Sequence, residues 1–380
     1  NIMPTKPSIK PATTSVDPVA VTTAILEETP ELANPLLMRA NSGVTRAADG
    51  TIQISGTTET IHNIGDYILN YTPASNAYLN ALANRVSFVI ISSKMYTNPW
   101  SRYKKGRLEF GETVEEIFVN LARPYQFSPS KAEQDVFKRT IPDVRAAFHT
   151  MNFQKYYPIT ITDDQLRQAF LSWQGIADLI AAIVESVYAS AQTDEYLVMK
   201  YMLARAVLNG YIQGVSIPKA NKTNAVDVAT KFRQTARLLE YQSDKYTISG
   251  VTTHTDISDQ YLIITAEFEA VMDLNVLAAA YNLDYADFIG HVIGVDSFVD
   301  MDWNRLRDLF TDENGIVDPS FHKWTADEIT ILNGVPAITT SIDFWQVWDN
   351  FEKMTENYNG KGLYWNYNYH VWKTFSISPF

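Results

Sequence analysis

The chain has 380 residues, of which 46% are hydrophobic and 19% are charged. This length and composition indicate a globular protein with one large domain or two to three ordinary ones. Cysteine is absent, which excludes disulfides and cysteine-based metal sites or nucleophiles. The net charge is −12, and the 14 acids and two bases between residues 256 and 318 account for all of it, which argues against a dedicated nucleic-acid binder.

Residues 1–60 contain six prolines among many threonines, serines and alanines, a composition typical of irregular chain. Short apolar pieces such as Leu36–Met38 interrupt this polar tract. A solvated tail has little use for them, so we predict an arm that a neighbouring molecule orders, with a floppy tail as the alternative. Residues 61–86 then predict short helices.

A β-rich run at Ser87–Ile91 opens a long excursion that returns through a predicted strand at Ile159–Thr162. Residues 94–107 hold five bases and no acid, and glutamates follow them. These clusters are either ordinary solvated faces or complementary surfaces that dock on a copy of the same chain, where matched charge fixes the register. The candidate contact residues are Arg102, Lys104, Lys105, Arg107, Glu109, Glu112, Glu115 and Glu116.

Residues 171–209 contain no proline and a single glycine, and their apolar residues recur at helical spacing. The pattern predicts one helix of roughly 55 Å that ends at Asn209-Gly210. Thr162 and Gln165 predict a capping box that opens a short helix before it. A helix of this length favours a spine that carries sheets and loops, and a plain core helix is the alternative.

The middle third predicts an α+β segment that holds the acidic surplus. Its predicted elements are a helix at Val226–Tyr241, strands at Val251–His254, Tyr261–Thr265 and His291–Val295, and a helix at Leu274–Asn282. Near the C-terminus, side chains of alternating polarity predict a half-buried strand. Its apolar face comprises Leu363, Trp365, Tyr367, Tyr369 and Val371. We interpret this face as core rather than as a sugar-binding platform.

Motifs that carry chemistry are missing from the sequence. It has no GxxxxGK[ST] loop, no GxGxxG after a strand, no HExxH and no GxSxG. Asp300, Asp302 and Asn304 begin like a calcium loop, but Arg305 stands at the glycine position. No apolar run has membrane-spanning length, and no signal peptide is evident. We therefore expect no cofactor, no metal site and no membrane association.

A series of motifs from about residue 85 to 378 resembles one family in order and spacing. The motifs are RYKKG at 102–106, ETVEEI at 112–117, FH at 148–149, DDQL at 163–166, AFxSW at 169–173, DEY at 194–196, DN at 349–350, KM at 353–354 and GLYWNYxYHVW at 362–372. The last of these is the most specific. With these motifs the chain resembles the major capsid proteins of small, short-tailed podoviruses of the phi-twenty-nine group.

The resemblance implies the α+β major capsid fold of tailed phages, named after phage Hong Kong ninety-seven. That fold has an N-terminal arm, an extended β-hairpin loop, a peripheral domain with a long spine helix, and an axial domain. The implied boundaries are 1–60 for the arm, 87–162 for the extended loop, 216–340 for the axial domain, and 61–86, 163–215 and 341–380 for the peripheral domain. Some relatives carry a further immunoglobulin-like module, which we do not expect here after Phe380.

The resemblance also implies a function. It predicts a structural subunit that self-assembles through hexamers and pentamers into an icosahedral or elongated shell. The shell would enclose double-stranded DNA, which touches its inner face without sequence specificity. Scaffolding and portal proteins are the other implied partners, and the implied location is the virion after assembly in the bacterial cytoplasm. The alternatives are a glycan-binding or glycan-active protein, suggested by the tyrosine and tryptophan content, and a portal or minor head protein.

Overall fold

The computed structural model describes residues 18–28, 43–47, 51–70, 78, 98–108, 113–129, 137–219, 224–272 and 291–380. The helices are α1 Pro18–Glu28, α2 Thr58–Asn70, α3 Asp163–Ala169, α4 Trp173–Leu208, α5 Ala225–Leu239, α6 Ala266–Val271, α7 Trp303–Leu309 and α8 Ala326–Asn333. In the described segments no helix is long and apolar enough to cross a membrane.

The strands are β1 Val44–Arg46, β2 Ile52–Ile54, β3 Lys104–Arg107, β4 Val114–Val119, β5 Val144–His149, β6 Phe153–Thr162, β7 Gln260–Thr265, β8 Val292–Val295, β9 Ala337–Ser341, β10 Trp345–Asn359 and β11 Tyr364–Ile377. They form four sheets, ordered β1-β2, β3-β10-β11-β6, β4-β5 and β8-β7-β9. The predicted strand at 87–91 and the predicted helix at 274–282 lie outside the described residues.

The chain divides into two compact units. Unit 1 comprises Asn1–Asn98, Gln154–Thr193 and Phe351–Val371, and unit 2 comprises Pro99–Phe153, Asp194–Asn350 and Trp372–Phe380. Helix α4 and strands β10 and β11 therefore each contribute residues to both units.

The long helix confirms the predicted spine. Helix α4 has 36 residues and differs from the prediction by only one or two residues at each end. It ends because Gly210 adopts a left-handed φ of 72°, which lets Tyr211 N donate to Ala206 O at 2.9 Å. The capping box before it is also confirmed, since Gln165 N donates to Thr162 Oγ1 at 3.3 Å and Thr162 N donates to Gln165 Oε1 at 3.0 Å.

Unit 1 is built around one apolar face of α2 and the aromatic face of β11. Ile61, Ile64 and Ile68 of α2 are fully buried in the same core as Trp365 and Tyr367. Farther along β11, two more aromatic-face residues pack on α4, in a cluster made by Val187, Ala191, Tyr369 and Val371. The predicted alternation of β11 is thus confirmed from Trp365 to Val371.

The prediction for Leu363 is wrong. Its side chain is 55% exposed, and its φ of 51° places it in the turn before β11 rather than on the strand. Leu363 O accepts a hydrogen bond from Asp163 N at 3.1 Å instead of joining a strand ladder. The residue therefore ends the turn and contributes no core surface.

Unit 2 contains the three-stranded sheet, in which β7 pairs parallel to β8 and antiparallel to β9. Helices α5 and α6 cover one face, where Phe232 and Phe268 pack on Leu262 and Ile264. The predicted helix at 226–241 and two of the predicted strands, β7 and β8, are confirmed.

The predicted strand at Val251–His254 is wrong, because the segment makes only one isolated bridge, between Ser243 and Thr253. Its neighbouring backbone groups bond elsewhere. Thr255 N donates to Leu239 O at 2.8 Å, and Val251 O accepts from Thr247 Oγ1 at 2.9 Å. β-Branched residues favour a strand only when a partner edge is available.

Candidate functional site

Strands β4 and β5 form an antiparallel hairpin in unit 2. They pair from Val114 opposite His149 to Val119 opposite Val144. Successive side chains point to opposite faces of a strand, so the hairpin has an inner and an outer face. The inner-face residues are Val114, Glu116, Phe118, Arg145, Ala147 and His149.

The inner face is tied to residues near the C-terminus. Glu116 accepts hydrogen bonds from His149 Nε2 at 3.2 Å and from Ser378 Oγ at 2.9 Å. A carboxylate cannot donate, so Nε2 carries a proton, and in the neutral ring Nδ1 then accepts from Ser376 Oγ at 2.8 Å. Phe118 stacks on Phe380 with ring centroids 5.7 Å apart. We call these residues the hairpin root.

Ser376, His149 and Glu116 follow one another in the order of a hydrolytic triad. The His149 ring is only 2% exposed, however, and its two nitrogens are both engaged. A general base must reach a substrate proton. This trio therefore acts as an anchor that holds β4 and β5 in place.

Arg145 adds a second tie to the root. Its guanidinium donates to the carbonyl of Ser249 and to Asp143 Oδ2, the latter at 3.2 Å. The hydrogen bonds from Arg145 and Asn120 hold the pKa of Asp143 below its usual value. Asn120 Oδ1 also accepts from Thr252 N at 3.5 Å. The start of the hairpin tip is therefore also tied to unit 2.

The outer face of the hairpin is apolar and exposed. Ile117 is 59% exposed, Val119 56%, Val144 52% and Phe148 64%. The strand register brings these four side chains together with Ala146 and Glu115. We call these six residues the outer face. Beyond the strands, further large apolar side chains are 57–95% exposed, namely Leu121, Tyr125, Phe127, Phe137 and Ile141.

Four charged side chains meet near the start of this excursion. Lys104 Nζ lies 3.2 Å from Glu195 Oε2 and 2.6 Å from Asp349 Oδ2. Lys373 Nζ contacts the same Glu195 oxygen and lies 2.6 Å from Asp349 Oδ1. Glu195 and Lys373 are each 1% exposed. We call these four residues the charge cluster, in which two positive charges balance two negative ones.

The lysines of the charge cluster favour the ionised form of Asp349. Burial alone would raise the pKa of Asp349, but Lys373 and Lys104 more than offset this, so its pKa lies below the usual value. The four residues come from β3, α4, β10 and β11. The cluster therefore joins the base of the excursion to three other elements of unit 2.

The structure separates the residues that the sequence grouped as contact candidates. Lys104 belongs to the charge cluster, and Lys105 Nζ lies 2.5 Å from Asp343 Oδ1. Glu116 belongs to the hairpin root, and Glu115 lies on the outer face. Arg102 and Arg107 are exposed, and Glu109 and Glu112 lie outside the described residues. That these residues contact a neighbouring chain stays a prediction.

Sequence reasoning missed the outer face as a surface of interest. The signal was present in Val114–Val119, where apolar residues fall on both faces of the strand. A strand that is apolar on both faces is typical of one covered on both sides. Within the described residues only the inner face is covered.

Two solved structures share the fold. A chain of the capsid structure of Staphylococcus phage Andhra matches 75% of this chain and 82% of its own length, with a TM-score of 0.52 and 15% identity. A chain in the structure of the head fiber and inner core protein gp22 of native bacteriophage P68 matches 75% and 83%, with a TM-score of 0.54 and 17% identity. The fold is thus the α+β fold of tailed-phage capsid proteins, of the Hong Kong ninety-seven type.

Sequence comparisons carry the identification further. The chain is 33% identical over 326 residues to the major capsid protein of Bacillus phage B103 and 32% identical over 326 residues to that of Bacillus phage PZA. Each alignment covers 85% of this chain and 66% of the relative, so the chain spans slightly less than two thirds of these relatives. A Streptococcus phage Cp-1 major capsid protein is 30% identical over 241 residues, 59% of this chain and 65% of the relative.

The fold defines the class of protein, which is that of tailed-phage capsid proteins. The model of the Phi29-like phage major capsid protein family matches residues 49–380. The chain belongs to that family, which also leaves the portal alternative without support.

The glycan alternative fails on burial as well as on family. Trp365, Tyr367 and Tyr369 are only 2–4% exposed, so their rings are part of the core and offer no platform to a sugar.

Proposed function

We propose that the chain assembles with copies of itself, through hexamers and pentamers, into a closed shell around a double-stranded DNA genome. The observation that carries this proposal is the outer face of the hairpin. Four large apolar side chains lie side by side there, each more than half exposed. Contiguous apolar patches on soluble proteins mark interaction surfaces.

The hairpin root makes this face suitable for repeated contacts. Hydrogen bonds that Glu116 accepts and that His149 and Arg145 donate fix the strands, so little conformational entropy is lost on docking. Covering a side chain such as Ile117 or Phe148 contributes about 1.5–3 kcal/mol. A few such contacts per subunit are modest, but a shell repeats them in every subunit.

Charge would then set the register of the contact. Arg107 and Glu115 are exposed, and neither makes an ion pair with a described residue. They are the members of the predicted contact set that are best placed to meet charges on a neighbour. Exposed ion pairs contribute only about 0–1 kcal/mol each, so their effect is on orientation and association rate.

We propose the remaining partners by analogy with the family. We assign the genome to the inner side of the shell. A chain of net charge −12 would enclose DNA there without binding it tightly. A scaffolding protein and a portal protein complete the proposed set, with assembly in the bacterial cytoplasm and final residence in the virion. We place the extended loop at 87–162 and the axial domain at 216–340, with the arm at 1–60.

The test is a double substitution on the outer face, Ile117→Asp with Phe148→Asp. The chain is expressed with its neighbouring phage genes and examined by negative-stain electron microscopy and sedimentation. We expect folded chains that form no shells, because two charges cannot be buried in an apolar contact. The matched control is Tyr241→Asp with Ile316→Asp, which alters side chains 70% and 64% exposed elsewhere in unit 2. Normal shells from the outer-face variant would overturn the proposal.

A further inference from the structure

A groove in unit 2 runs beside strand β9. It has a volume of about 650 Å³ and is bordered by the chain after α4, by the end of α5, by all of β9 and by Phe380. In a protein with 19% charged residues, no Asp, Glu, Lys or Arg is among the described residues that line this groove. Its lining is aromatic, aliphatic and hydroxyl-bearing, which suits an uncharged segment of polypeptide.

Strand β9 presents a free edge to the groove. It is the last strand in the order β8-β7-β9. Thr265 N donates to Pro336 O and Ile342 N donates to Asp259 O, so the even-numbered residues of β9 face β7. Hydrogen-bonding direction alternates along an antiparallel strand. The backbone groups of Ala337 and Thr339 therefore point away from β7, and no described residue pairs with them.

A buried acceptor in the same groove also lacks a donor. Gln260 is 2% exposed, and its Nε2 donates to Ala236 O at 3.0 Å and to Thr255 O at 3.1 Å. Its Oε1 is buried and has no hydrogen-bond partner in the described structure. A buried unsatisfied acceptor costs about 1–3 kcal/mol. An N–H group from an occupant would remove that cost.

We propose that the groove receives residues Leu121–Phe127 from a second copy of the chain, which add a strand to the edge of β9. All seven residues are exposed, with Leu121, Tyr125 and Phe127 between 57% and 85%. Only one of the seven, Arg123, is charged. Main-chain hydrogen bonds to a free edge give such strand addition its affinity, and side-chain pockets give it specificity.

In this structure the segment does not fill the groove of its own chain. Phe118 stacks on Phe380, which lines the groove, and Asn120 bonds to Thr252 at its rim. The hairpin thus leaves from beside the groove, and residues 121–127 of the same chain are not among those that line it. Each copy offers one donor segment and one acceptor edge, and such head-to-tail contacts form a ring when the rotation between neighbours closes. The inference rests on the self-assembly proposed above and specifies one contact through which two copies associate.

The test uses the absence of cysteine, since two introduced thiols are then the only ones present. Chains carrying Thr339→Cys and chains carrying Tyr125→Cys are co-expressed, and the assembled material is treated with a short bifunctional thiol cross-linker. We expect a covalent dimer on a denaturing gel with one chain of each type. A chain with both substitutions should give a ladder of higher oligomers.

The control replaces Tyr125→Cys by Ile316→Cys, whose parent side chain is similarly exposed at 64%. We expect at least tenfold more cross-linked product from the Tyr125 pair than from the control. Should the Tyr125→Cys chain fail to assemble, Phe127→Cys takes its place. Normal shells with no excess of cross-linking would overturn this inference alone, whereas a chain that never exceeds the monomer would overturn the proposed function as well.

Discussion

A carboxyl group beside the core of unit 1 makes stability depend on pH. Burial raises the pKa of Glu356 to about 7. Its Oε2 is buried without a hydrogen-bond partner in the described structure, and the nearby Tyr367 hydroxyl is likewise unpaired. The folded state therefore holds the Glu356 proton more tightly than the unfolded chain, whose pKa is near 4.5. Its contribution to stability is complete below that value and is lost as the pH rises to about 7.

We expect Glu356→Gln to remove this dependence. The variant should be more stable than the parent at pH 8, by about 1 kcal/mol, because no buried charge forms. The measurement is thermal unfolding from pH 5 to pH 8 in the Ile117→Asp, Phe148→Asp background, where assembly does not affect the midpoint. The control is Glu352→Gln, an exposed residue of the same strand. Parallel pH profiles for parent and Glu356→Gln would contradict the expectation.

Gly65 is required by close packing within unit 1. A Cβ at this position of α2 would lie 2.7 Å from Phe170 Cβ, and Phe170 is 3% exposed. Gly65→Ala should therefore destabilise the protein by about 1–3 kcal/mol, although alanine is the better helix former. Gly214→Ala is the control, since nothing lies within 4 Å of its added Cβ. Denaturant unfolding distinguishes the two, and equal stabilities would show that Phe170 can move aside.

Among the elements, the charge cluster links β3 to α4, β10 and β11. Glu195→Gln would leave two lysines sharing Asp349, so an excess positive charge would remain buried. We expect a loss of about 3–5 kcal/mol in unfolding free energy. Lys105→Ala serves as control and should cost about 0–1 kcal/mol, because its partner Asp343 is 76% exposed.

A double-mutant cycle tests whether the cluster acts as one unit. Glu195→Gln combined with Lys373→Met restores charge balance, so the double variant should lose less stability than the sum of the two single variants. Strict additivity in chemical denaturation would mean that the residues contribute independently.

Local pattern predicts some elements of this protein and long-range pairing decides the others. Helix α4 follows from the absence of proline and the recurrence of apolar residues within 36 positions. The hairpin root does not follow from any local pattern, because His149 and Ser376 are 227 residues apart. The sequence grouped Lys104 with its basic neighbours, but in the structure it forms ion pairs with Glu195 and Asp349 in the charge cluster.

For the whole molecule, the exposed charges near the hairpin should affect the rate of assembly more than its end point. Arg107→Glu should slow shell formation at low salt, because it reverses a charge that orients the approaching subunit. Near 1 M salt the screening length falls to about 3 Å, so the difference should vanish. Light scattering during assembly measures the rate of shell formation at low and at high salt. The control is Lys361→Glu, which makes the same charge change at an exposed turn. A defect that persists at high salt would point to a packing role for Arg107.

The hairpin root also has a consequence in time. Ser376 follows His149 by 227 residues, so a ribosome that adds about 5–20 residues per second needs about 10 to 45 s more before the anchor can form. During that interval the two strands have been synthesised, but the C-terminal residues that contact their inner face have not. A nascent chain therefore cannot yet hold its hairpin in place. A subunit becomes competent to assemble only when residues 376–380 have been synthesised. Translation itself thus sets a delay before each subunit can polymerise.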